Sequence, residues 1–388
     1  MNFDYTPAMN ADLKAFAKFC REQIAPHAME LDQMPAERAQ ALLRENLQKL
    51  AAGGFLGRQY PTAFGGQGQP SVETVALQEE LAQACPATFL SASVSVDICG
   101  AALLAYGSGA QKDRYLTALA QAQKIGCFAL TEPEGGTDLH AVQTRAEPTA
   151  DGWVINGTKS FITNAPIADF AILLAKIVRD GKEDGTGLFV VDRDTPGFSR
   201  GEPLKKMGYR GSPTGELRFA DCRVPADALL GEAGKGHDQA MKVLVGSRIG
   251  FAAGAIGLAR TCFDEATKYA HRRKAFGHKI ISFQEVGFKL ADMKMLIDTA
   301  TLLVRRAAWL LDNRDPEADP VGRCAKVFAT EAATKISSWA VQVHGGNGYL
   351  SEFPVERLYR DARLGEIGEG TNEIQRVMIA KDCLSRWT

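Results

Sequence analysis

The sequence lacks a surplus of charge of either sign. It contains 45 lysine and arginine residues against 46 aspartate and glutamate residues, which gives a formal net charge of −1 at pH 7. A nucleic-acid-binding surface needs a concentrated basic region, and these totals offer no support for one. We therefore expect no nucleic acid among the partners of this chain.

Cysteine and histidine patterns typical of metal sites are also missing. The eight cysteines are scattered with no C-x-x-C pair, and none of the six histidines falls three to five residues from another. Dispersed cysteines in mostly apolar surroundings are typical of buried free thiols in a reducing compartment. The sequence thus predicts no metal site.

No stretch of the sequence approaches the roughly 20 apolar residues that a membrane-spanning helix needs. The N-terminal stretch MNFDYTPAMNADLKAF has acidic residues early and is neither a secretory signal nor an arginine-rich transit peptide. These absences predict no membrane span. They favour a cytoplasmic protein of a prokaryote, or a mature organellar form.

The length of 388 residues predicts two or three domains. Apolar residues recur at helical spacing over residues 1–123, which predicts an N-terminal helical domain. Residues 124–236 change to short β-type runs, and residues 237–388 return to long, alanine-rich helical segments. Long helices joined by short loops predict a C-terminal helical bundle.

The middle region is predicted to be an antiparallel barrel or sandwich. Short strands without intervening helices favour this class over a parallel doubly wound sheet, so a Rossmann fold is excluded. The dipeptides Asp151-Gly152 and Asn156-Gly157 are turn signals between strands. The predicted strands are Gly126–Thr131, Thr144–Glu147, Trp153–Ile155, Phe170–Val178, Leu188–Asp192 and Leu217–Phe219.

The stretch Leu364–Arg376, LGEIGEGTNEIQR, places Glu369 between two glycines. Glycines permit positive φ and let a flat ligand approach the main chain. Asn372 is predicted to cap a helix with Gln375 in a capping box, and Ile374, Val377 and Met378 to begin its apolar face. Glu369 is then a carboxylate on a tight loop against a buried helix. An ordinary exposed loop acid is the alternative.

Three further motifs combine glycines with hydroxyl or aromatic residues. They are Cys127–Asp138 (CFALTEPEGGTD), Gly157–Asn164 (GTKSFITN) and Gln342–Tyr349 (QVHGGNGY). Main-chain N–H groups with small hydroxyls bind phosphate or flavin heteroatoms without a charged side chain. Taken singly, each motif also fits a plain turn or core strand.

In this order and spacing, the motifs resemble the acyl-CoA dehydrogenase family of flavoproteins over nearly the whole chain. The markers are TEPEGGTD, GTKSFITN, KMGYRGSPTGELRFADCRVP, YAHRRKAFG, the pair Phe283-Gln284, QVHGGNGY and EGTNEIQR. The resemblance implies an α+β fold with an N-terminal all-α domain, a middle antiparallel β-barrel and a C-terminal four-helix bundle. It also implies FAD between barrel and bundle, and a homotetramer built as a dimer of dimers.

The resemblance assigns the chemistry to Glu369. This residue matches the family's base, which removes the α-proton of an acyl-CoA thioester while hydride leaves the β-carbon for flavin N5, giving the trans-2-enoyl product. Thr137, Ser247, Arg248 and Gly370 match substrate-binding positions. Some relatives carry the base one residue before the arginine, but Ser247 cannot serve as one.

The same resemblance implies two sets of cofactor contacts. Matching flavin contacts within the subunit are Phe128, Leu130, Thr131, Gly136, Thr137, Phe161, Ile162 and Thr163, with Thr163 near N5, while Thr371, Asn372 and Glu373 match the turn over the cofactor phosphates. Matching positions that hold the FAD of the neighbouring subunit are Arg273, Phe276, Gln284, Gln342, Val343, Gly345 and Gly346.

Three positions depart from the family pattern. The usual Arg-x-Gln-Phe-Gly string has Ala275 in place of glutamine, and Phe161 replaces a frequent tryptophan. Gly368 replaces the aromatic residue that often precedes the base, which predicts a larger pocket beside the α-carbon and makes a branched or cyclic acyl group possible. Ala87–Val96 contains no arginine, which disfavours decarboxylation of a dicarboxylyl-CoA.

The leading hypothesis is an FAD-dependent acyl-CoA dehydrogenase that passes electrons to an electron-transferring flavoprotein. An enoyl-CoA reductase or an acyl-carrier-protein dehydrogenase on the same fold stays open, because substrate and partner set the direction. A non-catalytic flavin-binding protein is the third hypothesis, and Glu369 weighs against it.

Overall fold

The computed structural model describes residues 5–385 as three consecutive parts. The outer ends of the first and last predicted domains, residues 1–4 and 386–388, lie outside this range. The domain boundaries themselves stay predictions, although the change from helices to strands falls between residues 120 and 126 and the return to helix at residue 236.

The N-terminal part is helical, as predicted. Apolar residues spaced for one helical face pack into a common core that includes Phe16, Leu43 and Leu103. A capping box in which Ser108 and Gln111 exchange hydrogen bonds begins its last helix. The helices are α1 (Pro7–Phe19), α2 (His27–Gln33), α3 (Ala36–Ala52), α4 (Ser71–Ala84), α5 (Pro86–Ala92), α6 (Cys99–Tyr106) and α7 (Gly109–Ala120).

The middle part is an eight-stranded sheet with strand order β6-β7-β3-β2-β4-β5-β8 and β1 paired to β4. Most neighbours are antiparallel, but β1 and β2 both pair parallel with β4, in succession along the same strand. The strands are β1 (Gly126–Ala129), β2 (Arg145–Pro148), β3 (Gly152–Thr163), β4 (Phe170–Arg179), β5 (Lys182–Asp192), β6 (Phe198–Arg200), β7 (Thr214–Pro225) and β8 (Leu229–Leu230).

One predicted turn is wrong. Asp151-Gly152 does join β2 to β3, with Thr149 N–H donating to the Gly152 carbonyl. Asn156-Gly157 instead lies inside β3, where the register with β7 shifts. Gly157 is required there because a Cβ would come within 2.5 Å of Thr144 Oγ1. The dipeptide therefore marks a bulge, and β3 is longer than the sequence predicts.

The C-terminal part is built on three long helices, α8 (Gly236–Arg272), α9 (Gln284–Asp312) and α10 (Ala318–His344). A small hairpin, β9 (Lys274–Ala275) and β10 (His278–Lys279), separates the first two. The shorter helices α11 (Pro354–Ala362) and α12 (Asn372–Ser385) complete it. The predicted apolar face of α12 is wrong, because its buried residues are Asn372 and Gln375 while Val377 is 46% exposed.

The prediction that no stretch of the sequence approaches the length and apolarity of a membrane span is wrong. The helical stretch Pro86–Tyr106 and helix α8 are both long and apolar enough to cross a membrane by length and composition. Their most apolar windows are 83% and 67% buried inside the protein, respectively. That burial is typical of core helices, so their length and composition are weak grounds for a membrane span.

Contacts between the three parts fix the position of the sheet. Asn164, at the end of β3, donates from Nδ2 to the Ser91 carbonyl of α5 (3.0 Å). Tyr209 N–H donates to Asp361 Oδ1 of α11 (2.5 Å). At the start of α8, a Cβ on Gly236 would come within 2.6 Å of Gly187 in β5, so helix and sheet meet there without side chains between them.

Candidate active site

Glu369 lies on the loop between α11 and α12 in a left-handed backbone conformation. Its φ is +57°, and Gly370 follows at +80°. A non-glycine residue in this region is uncommon and costs on the order of 1–3 kcal/mol. The sequence predicted the backbone freedom at the two glycines, whereas the structure places it on Glu369 itself and on Gly370.

The Glu369 carboxylate is held by the serine that precedes Arg248. Ser247 Oγ on α8 donates to Glu369 Oε2 at 2.7 Å, across 122 positions of sequence. Glu369 keeps part of its surface open to solvent, yet the surrounding protein desolvates the carboxyl group and raises its pKa. The Ser247 hydrogen bond and the charges of Arg248 and Lys326 oppose that rise. A carboxylate with a raised pKa is a stronger proton acceptor.

Arg248 is buried, with 4% of its surface exposed. Its Nη1 donates to Asp319 Oδ1 on α10 (3.0 Å), and Asp319 also accepts from Arg323 Nη2 (2.8 Å). Arg323 Nη1 in turn donates to Gln375 Oε1 (3.0 Å), and Gln375 Nε2 donates to the Glu369 carbonyl (3.1 Å). Arg248 therefore acts on the loop that carries Glu369 (residues 363–371, here called the base loop) through its charge and through this chain of hydrogen bonds.

Lys326 is a site residue that the sequence reasoning missed. Its side chain is fully buried on α10, and Nζ donates to the Gly370 carbonyl (2.9 Å) and to Asn372 Oδ1 (2.8 Å). Burial lowers its pKa to about 8, opposed chiefly by the charge of Glu369. The available signal was a lysine within an alanine-rich helical face, which pattern reasoning treats as exposed.

The predicted capping role of Asn372 is wrong. Thr371 Oγ1 accepts the Ile374 N–H (3.3 Å), so Thr371 caps α12. Asn372 turns inward to Lys326 and Thr330 and is 1% exposed. Gln375 uses its side chain to donate to the Glu369 and Gly370 carbonyls. Its role as a positioning residue for the loop was not visible from the sequence.

The second group of predicted residues follows β1 and the end of β3. Phe161 has φ +58° and is 68% exposed, beside a register shift between β3 and β7. Phe128, Leu130, Thr131 and Thr163 are half-buried, Gly136 and Thr137 are exposed, and Ile162 is buried. Ile162 belongs to the interior of the sheet domain, so its side chain cannot contact a bound ligand, although its backbone can.

A buried ion pair positions the loop between β1 and β2. Lys159 Nζ donates to Glu132 Oε1 (2.8 Å) and to the Leu130 carbonyl (3.0 Å), with Lys159 fully buried and Glu132 5% exposed. Glu132 also accepts the N–H groups of Gln143 and Thr144. Burial lowers the pKa of Lys159 to about 8 against the pull of Glu132. The pair joins the TEPEGGTD and GTKSFITN motifs, a link that neither motif reveals alone.

The third group, the residues predicted to contact the FAD of the neighbouring subunit, lies at the opposite end of the helical bundle from Glu369. Arg273 is 25 residues beyond Arg248 along α8, which corresponds to about 37 Å. Most of the group is exposed, with Phe276 at 92%, whereas Val343 is 8% exposed and packs in the bundle core. The structure therefore does not bring this group to Glu369 within one chain. Its members are Arg273, Phe276, Gln284, Gln342, Val343, Gly345 and Gly346.

The residues around β1 and β3 fit a flat ring system with a polar edge, such as a flavin. An exposed aromatic ring on a strained bulge, Phe161, lies on the same strand as the Thr163 hydroxyl. A Cβ at Gly136 would come within 3.3 Å of Thr131 Cγ2, so a larger residue there would crowd the loop. Hydroxyl and main-chain groups are the donors that bind flavin heteroatoms.

Models of a single family match almost the entire chain. The acyl-CoA dehydrogenase N-terminal domain matches residues 7–123, the middle domain residues 127–222 and the C-terminal domain residues 234–384.

Several proteins are similar over most or all of their length. The chain is 41% identical to the probable acyl-CoA dehydrogenase YngJ of Bacillus subtilis, covering 99% of this chain and 100% of that protein. It is 41% identical to the short-chain specific mitochondrial acyl-CoA dehydrogenase of Homo sapiens (95% and 88% covered). It is 38% identical to the acryloyl-CoA reductase (NADH) of Anaerotignum propionicum (100% and 97% covered).

Solved structures share the fold. The butyryl-CoA dehydrogenase of Megasphaera elsdenii superposes with a TM-score of 0.91 at 36% identity, covering 99% of this chain and 100% of that one. A chain from a structure described as the electron transferring flavoprotein of Acidaminococcus fermentans superposes with a TM-score of 0.94 at 35% identity, again covering 99% and 100%.

Proposed function

The chain belongs to the acyl-CoA dehydrogenase family, and on that premise we propose that Glu369 is the base that removes the α-proton of its acyl-CoA substrate. The protein is an oxidoreductase that acts on a CH–CH bond of an acyl-CoA with FAD as cofactor. The observation that supports this role is that the surrounding protein desolvates the Glu369 carboxylate while part of the residue stays accessible to solvent. Ser247 holds the carboxylate by a hydrogen bond of 2.7 Å.

The chain supplies the proton acceptor and its positioning. Glu369 has a left-handed conformation, and its neighbours Gly368 and Gly370 add no side chain beside its N–H. We propose that this N–H donates to the thioester oxygen, where negative charge develops as the α-proton leaves. Lys326 and Gln375 hold the base loop in place by donating hydrogen bonds to the Gly370 and Glu369 carbonyls, respectively.

FAD, when bound, supplies the acceptor for the hydride from the β-carbon. We propose that Phe161 packs beside its ring and that Thr131, Thr163 and the main chain after β1 contact its polar edge. Thr137 and Gly370 contact the CoA thioester, while Ser247 and Arg248 act on the carboxylate. These assignments follow the family pattern and the partial or full exposure of Phe161, Thr131 and Thr163.

Reduction of an enoyl-CoA is the second candidate function. It is favoured by the 38% identity to an acryloyl-CoA reductase over the full chain. The same base and flavin contacts serve both directions, since a carboxyl group that takes the α-proton in one direction returns it in the other. A non-catalytic flavin-binding protein is disfavoured, because such a protein has no need of a desolvated carboxylate on a strained loop.

We propose a homotetramer in which each FAD site is completed by a second copy. The third group, with Arg273 and Phe276, lies too far from Glu369 to serve the same site. Helix α9 also exposes apolar side chains at every seventh position, a pattern suited to helix packing between copies. They are Phe288 (62%), Met295 (64%), Leu302 (47%) and Trp309 (40%).

An electron-transferring flavoprotein is the proposed electron partner, supported by the structural similarity to the Acidaminococcus fermentans chain. We propose a cytoplasmic location, because all eight cysteines are free and six of them are buried. A role in acyl-CoA catabolism follows from dehydrogenation as the direction of the reaction.

Anaerobic titration of the purified flavoprotein with butyryl-CoA tests the proposal. We expect the wild type to bleach near 450 nm and Glu369→Gln to retain FAD but lose turnover by roughly 10²–10⁴ or more, the contribution of a general base. Glu366→Gln is the matched control, because Glu366 lies on the same loop but pairs with Arg363 (2.6 Å). Bleaching of Glu369→Gln at the wild-type rate would remove Glu369 from its role.

A further inference from the structure

The space beside Gly368 is filled by a side chain from another element. An ideal Cβ at position 368 would lie 3.3 Å from Phe251 Cζ and 3.7 Å from Phe251 Cε1. Phe251 is 6% exposed and belongs to the core shared with the N-terminal helices. The aromatic ring that often precedes the base in this family is therefore replaced by a ring that comes from α8. Phe251 thus occupies space that Gly368 was predicted to leave open.

The position of Phe251 on α8 directs its ring toward the base. Phe251 follows Ser247 by four residues, so both side chains lie on one face of the helix, about 6 Å apart along its axis. Ser247 contacts the Glu369 carboxylate and Phe251 contacts the residue before it. Between them they line the helix side of the space next to the base loop.

The next turn of α8, at Gly254, is also covered by an aromatic side chain. A Cβ at Gly254 would come within 2.1 Å of the Phe89 ring of α5, so that ring lies directly on the helix backbone. Phe89 is 1% exposed. Beyond the base, the path along α8 toward the N-terminal helices therefore meets Phe251 and then Phe89. Both are rigid aromatic side chains in a close-packed core.

We propose that Phe251 sets the acyl-chain selectivity, as the end wall that limits the substrate to short, unbranched acyl groups. This inference rests on the proposed function of Glu369 and its loop. The ring closes the space beside the α-carbon that Gly368 would otherwise leave for a branch, and it stops a longer chain one helical turn past the base. One methylene that does not fit an apolar pocket changes kcat/KM by roughly 10–200-fold.

The test compares kcat/KM for butyryl-, octanoyl- and α-branched isobutyryl-CoA in the wild type and in Phe251→Ala. We expect the wild type to prefer butyryl-CoA, and the variant to raise the octanoyl-to-butyryl ratio at least tenfold and to gain activity on isobutyryl-CoA. Phe263→Ala is the matched control, since Phe263 lies three turns farther along α8, in the other core. A ratio that stays within twofold of wild type in Phe251→Ala would overturn the proposal.

Two further measurements separate a loss of folding from a change in selectivity. If Phe251→Ala does not fold, Phe251→Leu removes less volume and is expected to shift the same ratio in the same direction by a smaller factor. Calorimetric binding of crotonyl-CoA and 2-octenoyl-CoA reports the pocket without turnover, and Phe251→Ala should favour the longer ligand. A wild type that binds both equally overturns the role of Phe251. A wild type that binds the short ligand but bleaches with no acyl-CoA overturns the proposed function alone.

Discussion

At the scale of single residues, the surroundings of Glu369 have opposite effects on the pKa of its carboxyl group. Burial raises the pKa of Glu369, while the Ser247 hydroxyl and the charges of Arg248 and Lys326 stabilise its ionised form. A group that must be ionised to accept a proton, yet basic enough to take one from a weak carbon acid, needs both influences. Ser247, which cannot act as a base, instead donates the hydrogen bond that lowers the pKa of the proposed base.

Ser247→Ala should move the pH dependence of turnover. Removing the hydroxyl donor destabilises the carboxylate, so the pKa of Glu369 rises further above its ordinary value. The rising limb of kcat/KM, which requires ionised Glu369, should then shift to higher pH. Ser247→Thr keeps a hydroxyl group and should restore the wild-type profile. A midpoint that stays in place or falls in Ser247→Ala would show that the hydrogen bond has no part in tuning the base.

At the scale of elements, the loop between β1 and β2 carries proposed flavin contacts and is held by one buried ion pair. The two strands pair with successive segments of β4, so the intervening loop leaves the sheet and returns to it. Glu132 and Lys159 tie that loop to β3 at 2.8 Å. Rigid placement of the Thr131 and Thr137 hydroxyls depends on this pair.

Lys159→Met should destabilise the fold and weaken flavin retention together. It leaves the Glu132 carboxylate buried without its cation, which typically costs about 3–5 kcal/mol. The free energy of unfolding and the FAD content after gel filtration measure the two effects. Lys176→Met is the control, because Lys176 pairs with an exposed Glu183, a class of pair worth about 0–1 kcal/mol. Equal stability of the two variants would contradict a structural role for the Lys159 pair.

At the scale of the whole molecule, the proposed site residues lie in two places that one chain does not bring together. The base loop meets the start of the bundle, and the third group lies about 37 Å along α8. Exposed rings at that far end, Phe276 (92%) and Tyr349 (88%), and the apolar stripe of α9 are suited to contact with other copies. If the third group holds the FAD of a second copy, as proposed, assembly and cofactor binding are linked.

Arg273→Ala should lower FAD occupancy and subunit association in parallel. The guanidinium is proposed to contact the cofactor of the neighbouring subunit, and a ligand shared across an interface stabilises that interface. Visible absorbance gives the occupancy, and light scattering gives the mass. Lys279→Ala, which removes an exposed cation from the same hairpin, should change neither. Full FAD occupancy in Arg273→Ala would show that the cross-subunit assignment is wrong.

The sequence alone determined the succession of helices, sheet and bundle and singled out Glu369, because period, glycine placement and motif order are properties of neighbouring residues. It failed where a side chain's partner comes from elsewhere. Lys326 appeared to be an ordinary helix lysine, Asn372 a helix cap and Gly368 an open space. Only the tertiary structure decided these, because the pKa of the base and the shape beside it depend on α8 and α10, which approach Glu369 from more than 40 positions away. Desolvation, charge and steric contact act through space, and no local pattern encodes them.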